Sequence, residues 1–221
     1  MENSELLHHD PKAILFDLDG TLIESFASVR DTLVSALMYC GYEPPAGNIY
    51  GELFGRSEHD VFVNLGFPEE KIPGLMDEWT RFTSEYAGTI PYYEGIPELL
   101  QSLRQQGCAL GIITGRNRKT TRTVPVALEL EKIMDVFINP DDTCKGKPNP
   151  EPVFYALKKI GFSPDQTIYV GDSANDITKA NAAGCTSILV TWGGVKDATG
   201  FPSKPDYIVS TVEELKILLL G

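Results

Sequence analysis

The chain has 221 residues, of which 42% are hydrophobic and 23% charged, the proportions of a globular protein able to bury a sizeable core. Its 31 Asp and Glu outnumber 19 Lys and Arg, for a formal net charge of −12. That charge excludes the cationic surface needed to coat nucleic acid or an anionic membrane. No apolar run approaches the roughly 20 residues of a membrane span, and Met1 to Lys12 holds none of signal-peptide length. The expectation is a cytoplasmic protein with no nucleic-acid or membrane partner.

The charge is uneven. Glu24 to Tyr92 holds eleven acidic and four basic residues, a net of −7, and the rest of the chain only −5. Such an asymmetry suits a separate module. Cys40, Cys108, Cys144 and Cys185 lie far apart with no Cys-x-x-Cys spacing, which predicts buried free thiols rather than a metal or redox motif.

In chain order, the first element is a short apolar strand, Ala13 to Phe16. It ends in Asp17-Leu18-Asp19-Gly20-Thr21-Leu22. Two carboxylates two residues apart can serve one cation and one reacting group if the chain turns, and Gly20 permits the turn. Helical patterns follow: Phe26, Val29, Leu33, Leu37 and Cys40 share one face before Gly41. Two more stretches run from about Ser57 to Leu65 and Glu69 to Ala87, punctuated by Pro44-Pro45 and Gly66-Phe67-Pro68.

From Glu94 onward strands alternate with helices. A helix to Gln106 precedes a strand over Ala109 to Ile113, which ends in Thr114-Gly115-Arg116. Thr114 suits a helix cap as well as an anion ligand. Arg116, Arg118, Lys119 and Arg122 form a basic run at a helix start, against the dipole preference, and read first as a solvated face. Strand Val136 to Ile138 leads to Lys145-Gly146-Lys147-Pro148-Asn149-Pro150 and a helix over Pro152 to Ile160. Strand Ile168 to Val170 ends in Gly171-Asp172-Ser173-Ala174-Asn175-Asp176, with Ala174 to Ala183 helical. The last predicted strand is Ser187 to Val190, followed by Trp192-Gly193-Gly194, read as a packing Trp beside a turn.

Short apolar strands separated by helices predict an α/β, Rossmann-like parallel sheet with helices on both faces and an inserted all-helical unit. In such sheets ligands bind at the carboxyl ends of strands, where Asp17, Thr114 and Asp172 all fall. A carboxylate cluster there is a hard-cation site, and Mg²⁺ fits best.

The four segments around Asp17, Thr114, Lys147 and Asp172, in that order, resemble the haloacid dehalogenase-like hydrolase superfamily. The resemblance extends from Ile14 to about Val190 and points to the phosphoglycolate phosphatase-like group with a helical cap. It implies a core of residues 1–24 and 93–221 and a cap of residues 25–92. By the same resemblance Asp17 is a nucleophile forming an aspartyl-phosphate, and Asp19 the general acid and base. Leu18, Thr114, Gly115 and Lys147 would hold the phosphate. Mg²⁺ would be bound by Asp17, Asp172 and the Asp19 carbonyl, with Asp176 orienting metal-bound water or Lys147.

The carboxylate at Asp19 sets the chain apart from the family's true dehalogenases, which lack it. The absence of His from Ser25 to Asp31 sets it apart from the β-phosphoglucomutases. Two departures from the group's pattern are Glu24, where Asp is usual, and Gly115-Arg116, which leaves the role of Arg116 open. Within the cap, the segment Phe54-Gly55-Arg56-Ser57-Glu58-His59 is expected to face the substrate, with Gly55 and Arg56 as candidate specificity residues, Arg56 either pairing a second anionic group or standing exposed at a helix start. His59 reads as surface or packing and His8-His9 as a loose tail. The expected activity is Mg²⁺-dependent hydrolysis of a small phosphorylated metabolite, a phosphoglycolate-like monoester, by a monomer or homodimer. The alternatives are a pyrophosphatase, a phosphomutase or a non-catalytic phosphate-binding protein.

Overall fold

A computed structural model describes residues 12–47, 50 and 53–221. His8 and His9 lie outside the described residues.

Six parallel strands form one sheet: β1 (Ala13–Phe16), β2 (Ala109–Ile113), β3 (Val136–Ile138), β4 (Thr167–Gly171), β5 (Thr186–Val190) and β6 (Tyr207–Val209), in the order β3-β2-β1-β4-β5-β6. β1 pairs with β2 on one side and β4 on the other, with Phe16 opposite both Ile112 and Val170. The strand order therefore reverses at β1, the switch point where connections leave in opposite directions and open a crevice.

Alternating strand residues feed two cores. Ile14, Phe16, Ile112, Val170 and Ile188 pack on one face with α4 (Ile96–Gln105), α6 (Pro125–Ile133) and α9 (Val212–Leu220). Leu15, Ile113 and Tyr169 face the other way, onto Val153, Ala156 and Leu157 of α7 (Glu151–Ile160) and Ala180 of α8 (Ala174–Ala183). With both faces covered, the strands can be apolar throughout, and every residue of β1 is buried.

The inserted unit has its own core. α1 (Phe26–Tyr39), α2 (Glu58–Asn64) and α3 (Ile72–Tyr86) enclose Leu33, Leu37, Phe62, Leu75 and Trp79, with Phe62 and Trp79 edge to face at 5.6 Å. Its two connections to the core run side by side: Glu24 N–H donates to Pro91 O at 3.0 Å and Tyr93 N–H to Leu22 O at 3.1 Å.

Three details differ from the sequence expectation. β6 and α9 extend the core beyond the last predicted strand. Cys40 and Cys144 are exposed while Cys108 and Cys185 are buried. Cys40 sits where α1 stops, one residue past Tyr39 and three past the last of the buried stripe of Thr32, Leu33, Ala36 and Leu37, and Cys144 lies in the loop before α7. The helix expected from Glu69 begins at Ile72, because residues 68–72 first close a turn in which Lys71 N–H bonds Pro68 O. No helix among the described residues is long and apolar enough to cross a membrane.

Candidate active site

The crevice at the switch point holds the predicted residues. The β1 ladder continues one residue past the strand, with Asp17 N–H donating to Val170 O at 2.9 Å, so Asp17 is fixed beside the end of β4. Asp172 follows that strand directly. Asp176 lies in the first turn of α8, where Ser173 caps the helix and its hydroxyl donates to Asp176 Oδ2 at 2.5 Å. Oxygens of Asp17, Asp172 and Asp176 lie within 4.8 Å of one another, all buried.

The Asp-Leu-Asp-Gly turn explains the approach. Leu18 O accepts from the backbone N–H groups of both Leu22 and Ile23, and Gly20 has φ +84°. A Cβ on Gly20 would collide with the Asp172 carboxylate, so glycine is required by conformation and by space alike. Asp172 Oδ2 also accepts from Gly194 N–H at 3.2 Å, and Trp192 Nε1–H donates to Thr21 O at 3.1 Å. The turn after β5 therefore edges the site, although sequence favoured a packing role for Trp192 alone.

Two lysines serve this cluster. Lys147 Nζ pairs with Asp17 Oδ1 and, at 2.8 Å, with Asp176 Oδ1. Lys179, wholly buried on α8, donates to Asp176 Oδ1 at 3.0 Å and to the Tyr169 hydroxyl at 2.5 Å. Burial opposes the charge on Lys147, yet Asp17 and Asp176 hold its ammonium well above the ordinary lysine range. Burial also opposes ionisation of Asp176, but Lys147 and Lys179 keep its carboxyl well below the usual range. Asp17 goes the other way: burial pushes it up to about 7 despite Lys147. Asp172 is raised well above its ordinary value by burial and by Asp17 and Asp176.

Asp17 Oδ2 is buried with no hydrogen-bond partner. An orphaned carboxylate oxygen beside a raised Asp172, all ligands oxygen, fits a hard divalent cation. Asp176 Oδ1 is occupied by Lys147 and Lys179. The Asp19 side chain lies outside this cluster, and the sequence reading had assigned only its carbonyl to the metal.

Asp19 instead docks on Arg116. The guanidinium reaches it through Nε at 2.8 Å and Nη2 at 2.7 Å, and Ser25 Oγ–H donates to it at 2.5 Å. Arg116 is only 5% exposed, which corrects its reading as part of a solvated run. The loop from Thr114 folds it inward, with Arg116 N–H on Thr114 Oγ1 at 3.1 Å and Asn139 Nδ2–H on Arg116 O at 2.9 Å. Thr114 thus caps its own loop at the site. The rest of the basic run does face outward: Arg118 pairs with Asp142, Lys119 with Asp77, and Arg122 is exposed.

The cap closes the cleft from above. A Cβ on Gly115 would come within 2.7 Å of Arg56 O, so the cap loop rests on that glycine. Gly55 has φ +77°, and Arg56 is exposed at the rim. His59 is exposed and bonded to Glu69 at 3.0 Å. The residue that turns inward is Glu58, 5% exposed, whose Oε2 accepts from Asn117 Nδ2–H and whose Oε1 has no partner. Burial pushes its carboxyl up to about 7. The cleft is lined by Asp17, Asp19 and Arg116 from the core and by Phe54, Arg56, Glu58 and Trp79 from the cap.

Sequence reasoning includes Glu58 in the substrate-facing cap segment Phe54 to His59 without giving it a role of its own, and misses Lys179. The latter left a signal: a lysine three residues after Asp176 on a helix otherwise made of small side chains.

A family model described as haloacid dehalogenase-like hydrolase matches residues 14–190. Among similar curated proteins is pyrophosphatase PpaX of Bacillus mycoides (strain KBAB4), 29% identical over 207 residues that make up 93% of this chain and 95% of that one. A crystal structure from Lactobacillus plantarum, provisionally named a phosphoglycolate phosphatase, superposes with a TM-score of 0.83 at 26% identity, covering 95% of this chain and 99% of the other. A hydrolase from Pseudomonas syringae shares the fold with a TM-score of 0.83 at 24% identity, over 92% and 95% of the two chains. The match runs through all four strand-end segments and the inserted helices alike, and the chain belongs to the haloacid dehalogenase-like hydrolases.

Proposed function

We propose that the protein is a Mg²⁺-dependent phosphatase acting on a small phosphate monoester through an aspartyl-phosphate on Asp17. The observation that carries this reading is the buried group of Asp17, Asp172 and Asp176 with Lys147 bridging two of them. Asp17 and Asp172, with the Asp19 carbonyl, would hold the ion. When bound, Mg²⁺ offsets the repulsion between an attacking carboxylate and a phosphate dianion.

The chain's own groups do the rest. Asp17 has one carboxylate oxygen for the ion and the other to attack phosphorus. Lys147 lies against the same carboxylate, placed to neutralise a phosphoryl oxygen, and Asp176 anchors it. Leu18 and Gly115 offer backbone N–H groups and Thr114 a hydroxyl where the transferred group would sit. As the bond to the leaving oxygen breaks, Asp19 gives that oxygen a proton. It then takes one from the water that attacks phosphorus and releases Asp17. To reach the leaving oxygen the Asp19 carboxyl must rotate off Arg116 and Ser25. Residues 25–92 act as a cap over the cleft, hinged at the paired connections near Glu24–Ser25 and Tyr92–Glu94, and exclude water during transfer.

The second reading is pyrophosphate hydrolysis, favoured by the name of the Bacillus relatives. It differs only in the leaving group. The protein would work in the cytoplasm on a small phosphorylated metabolite. The test is a panel of p-nitrophenyl phosphate, phosphoglycolate, sugar phosphates, nucleotides and pyrophosphate with and without Mg²⁺. Mg²⁺-dependent release of phosphate from monoesters is expected. Turnover confined to pyrophosphate would install the second reading, and no turnover at all would leave a phosphate-binding protein.

A further inference from the structure

Most side chains of α8 are small, and its one lysine, Lys179, points into the protein with no exposed surface. An amine taken out of water is costly unless it meets well-placed partners. Here the partners form a line across the sheet. Lys179 Nζ–H donates to the Tyr169 hydroxyl at 2.5 Å and to Asp176 Oδ1 at 3.0 Å. The Tyr169 hydroxyl in turn reaches Ile113 O, at the end of β2, at 3.3 Å. Tyr169 is wholly buried in the apolar core of this sheet face, so Nζ is supported on its far side by a group locked in packing.

Asp176 is equally confined. Ser173 Oγ–H donates to its Oδ2 at 2.5 Å, and a Cβ on Gly171 would come within 2.4 Å of the Asp176 Cβ. Its Oδ1 meets both lysines, Lys147 at 2.8 Å and Lys179 at 3.0 Å. Lys147 lies between that oxygen and Asp17 Oδ1. Its place is therefore a balance between two carboxylates, one at the end of β1 and one on α8. An oxygen shared by two N–H donors holds each less strongly than it would hold one alone. Burial and Lys147 draw the Lys179 ammonium down to about 7, against the pull of Asp176 and Asp17. With three protons or two, Nζ keeps one N–H for Asp176 and one for Tyr169.

We infer that Lys179 is a positioning residue: by sharing Asp176 Oδ1 it keeps Lys147 from being drawn onto Asp176, and leaves that ammonium beside Asp17 to meet a phosphoryl oxygen. This rests on the phosphatase reading, in which Lys147 faces the transferred group. A lysine that only filled space or braced α8 would affect every ligand of the site alike. One that sets the place of Lys147 affects an anion bound there and spares a cation held by Asp17 and Asp172.

The experiment titrates wild type and Lys179→Met with Mg²⁺ alone, and with inorganic phosphate in saturating Mg²⁺, reading each Kd from the rise in Tm. Methionine keeps the length and apolar stem of the side chain and removes the donor. In Lys179→Met the phosphate Kd should rise about tenfold, the scale of one charge-assisted hydrogen bond, while the Mg²⁺ Kd falls or stays within about threefold. KM for p-nitrophenyl phosphate should rise with the phosphate Kd. Tyr169→Phe removes only the far support of Nζ and should shift the phosphate Kd the same way by a smaller factor. That variant carries the test if Lys179→Met does not fold. An unchanged phosphate Kd, or an equal weakening of Mg²⁺ and phosphate, would overturn the role of Lys179 while leaving the phosphatase standing. A wild type that neither binds phosphate in Mg²⁺ nor hydrolyses any phosphate compound would overturn both.

Discussion

The two walls of the cleft are built on opposite plans. On the core wall three buried aspartates gather within 4.8 Å at the ends of β1 and β4 and the start of α8, and Lys147 and Lys179 pair with Asp17 and Asp176. Among the described residues the cap wall is mostly apolar, with Glu58, one oxygen of which is unpaired, and Arg56 as its charged residues. The core wall is over-determined, since each charge has at least one partner supplied by another element. A wall of that kind suits chemistry that is the same for every phosphate. The cap wall leaves Glu58 Oε1 without a hydrogen bond, as the core wall leaves Asp17 Oδ2. Turnover should therefore fail by substitutions in the core, and selectivity should change by substitutions in the cap.

The sharpest test of that division is Asp17→Asn. The amide is a poor nucleophile, so kcat should fall by about four orders of magnitude or more on every substrate, with far-ultraviolet circular dichroism unchanged. Measurable turnover in that variant would remove Asp17 from the nucleophile's place. Asp19→Asn should slow the reaction by about 10²- to 10⁴-fold and let phosphoenzyme accumulate, which rapid-quench mass spectrometry would detect. An unchanged rate would assign the Asp19–Arg116 pair to structure alone.

Both walls also carry strained carboxyls. Asp17 and Asp172 bind protons more tightly in the folded chain than at their ordinary value of 3.8, and Glu58 more tightly than at 4.5. Between about pH 4 and 7 the folded state thus holds more protons than the unfolded one. Stability of the metal-free protein falls as pH rises through that window. A divalent cation reverses the trend by stabilising the ionised carboxylates, by about 2.7 kcal/mol when present at 100 times its Kd. Thermal melts should show Tm of the metal-free protein dropping from pH 5 to 7, and Mg²⁺ restoring it. Asp172→Asn, which removes one of the crowded charges, should raise the metal-free Tm at pH 7 and abolish the Mg²⁺ shift. A Tm that rises with pH, or a Mg²⁺ shift surviving in Asp172→Asn, would break the account of the cluster as a cation site.

How much of this was readable beforehand follows the same division. β1, β2 and β4 announce themselves as apolar runs ending in Asp17, Thr114 and Asp172, and a parallel sheet brings such ends to one edge. β6 does not: three residues after Pro205, with Ile208 half exposed, are too short for a pattern to show. The Asp19–Arg116 pair joins residues 97 apart through a loop whose inward fold depends on Thr114 and Asn139. Local sequence shows only a basic run there. Glu58 is legible only as one of the segment from Phe54 to His59, for a related reason. An acid in the first turn of a helix is favoured by the dipole wherever it points, and only the approach of Asn117 from the core turns this one inward. Side chains set by strand ends are legible, whereas those set by one unit closing on another are not.

The smallest expected effect concerns the outward part of the basic run. Arg118 is bound to Asp142 with 2.6 Å between charges, and exposed Lys119 reaches Asp77 on α3 at 2.7 Å. Arg118 thus belongs to the core surface, while Lys119 ties α5 (Arg118–Thr121) to the cap. Exposed pairs of this kind contribute about 0–1 kcal/mol and are screened by salt. If these charges steered an anionic substrate toward the cleft, kcat/KM would fall with ionic strength more steeply in wild type than in Arg118→Ala/Lys119→Ala. With their charge already matched by Asp142 and Asp77, the two slopes should coincide. The double variant should change kcat/KM by no more than about twofold, any effect arising from looser closure of the cap. A steeper wild-type slope would place an electrostatic funnel at the mouth of the cleft and give the cap-facing surface a role in capture that its ion pairs argue against.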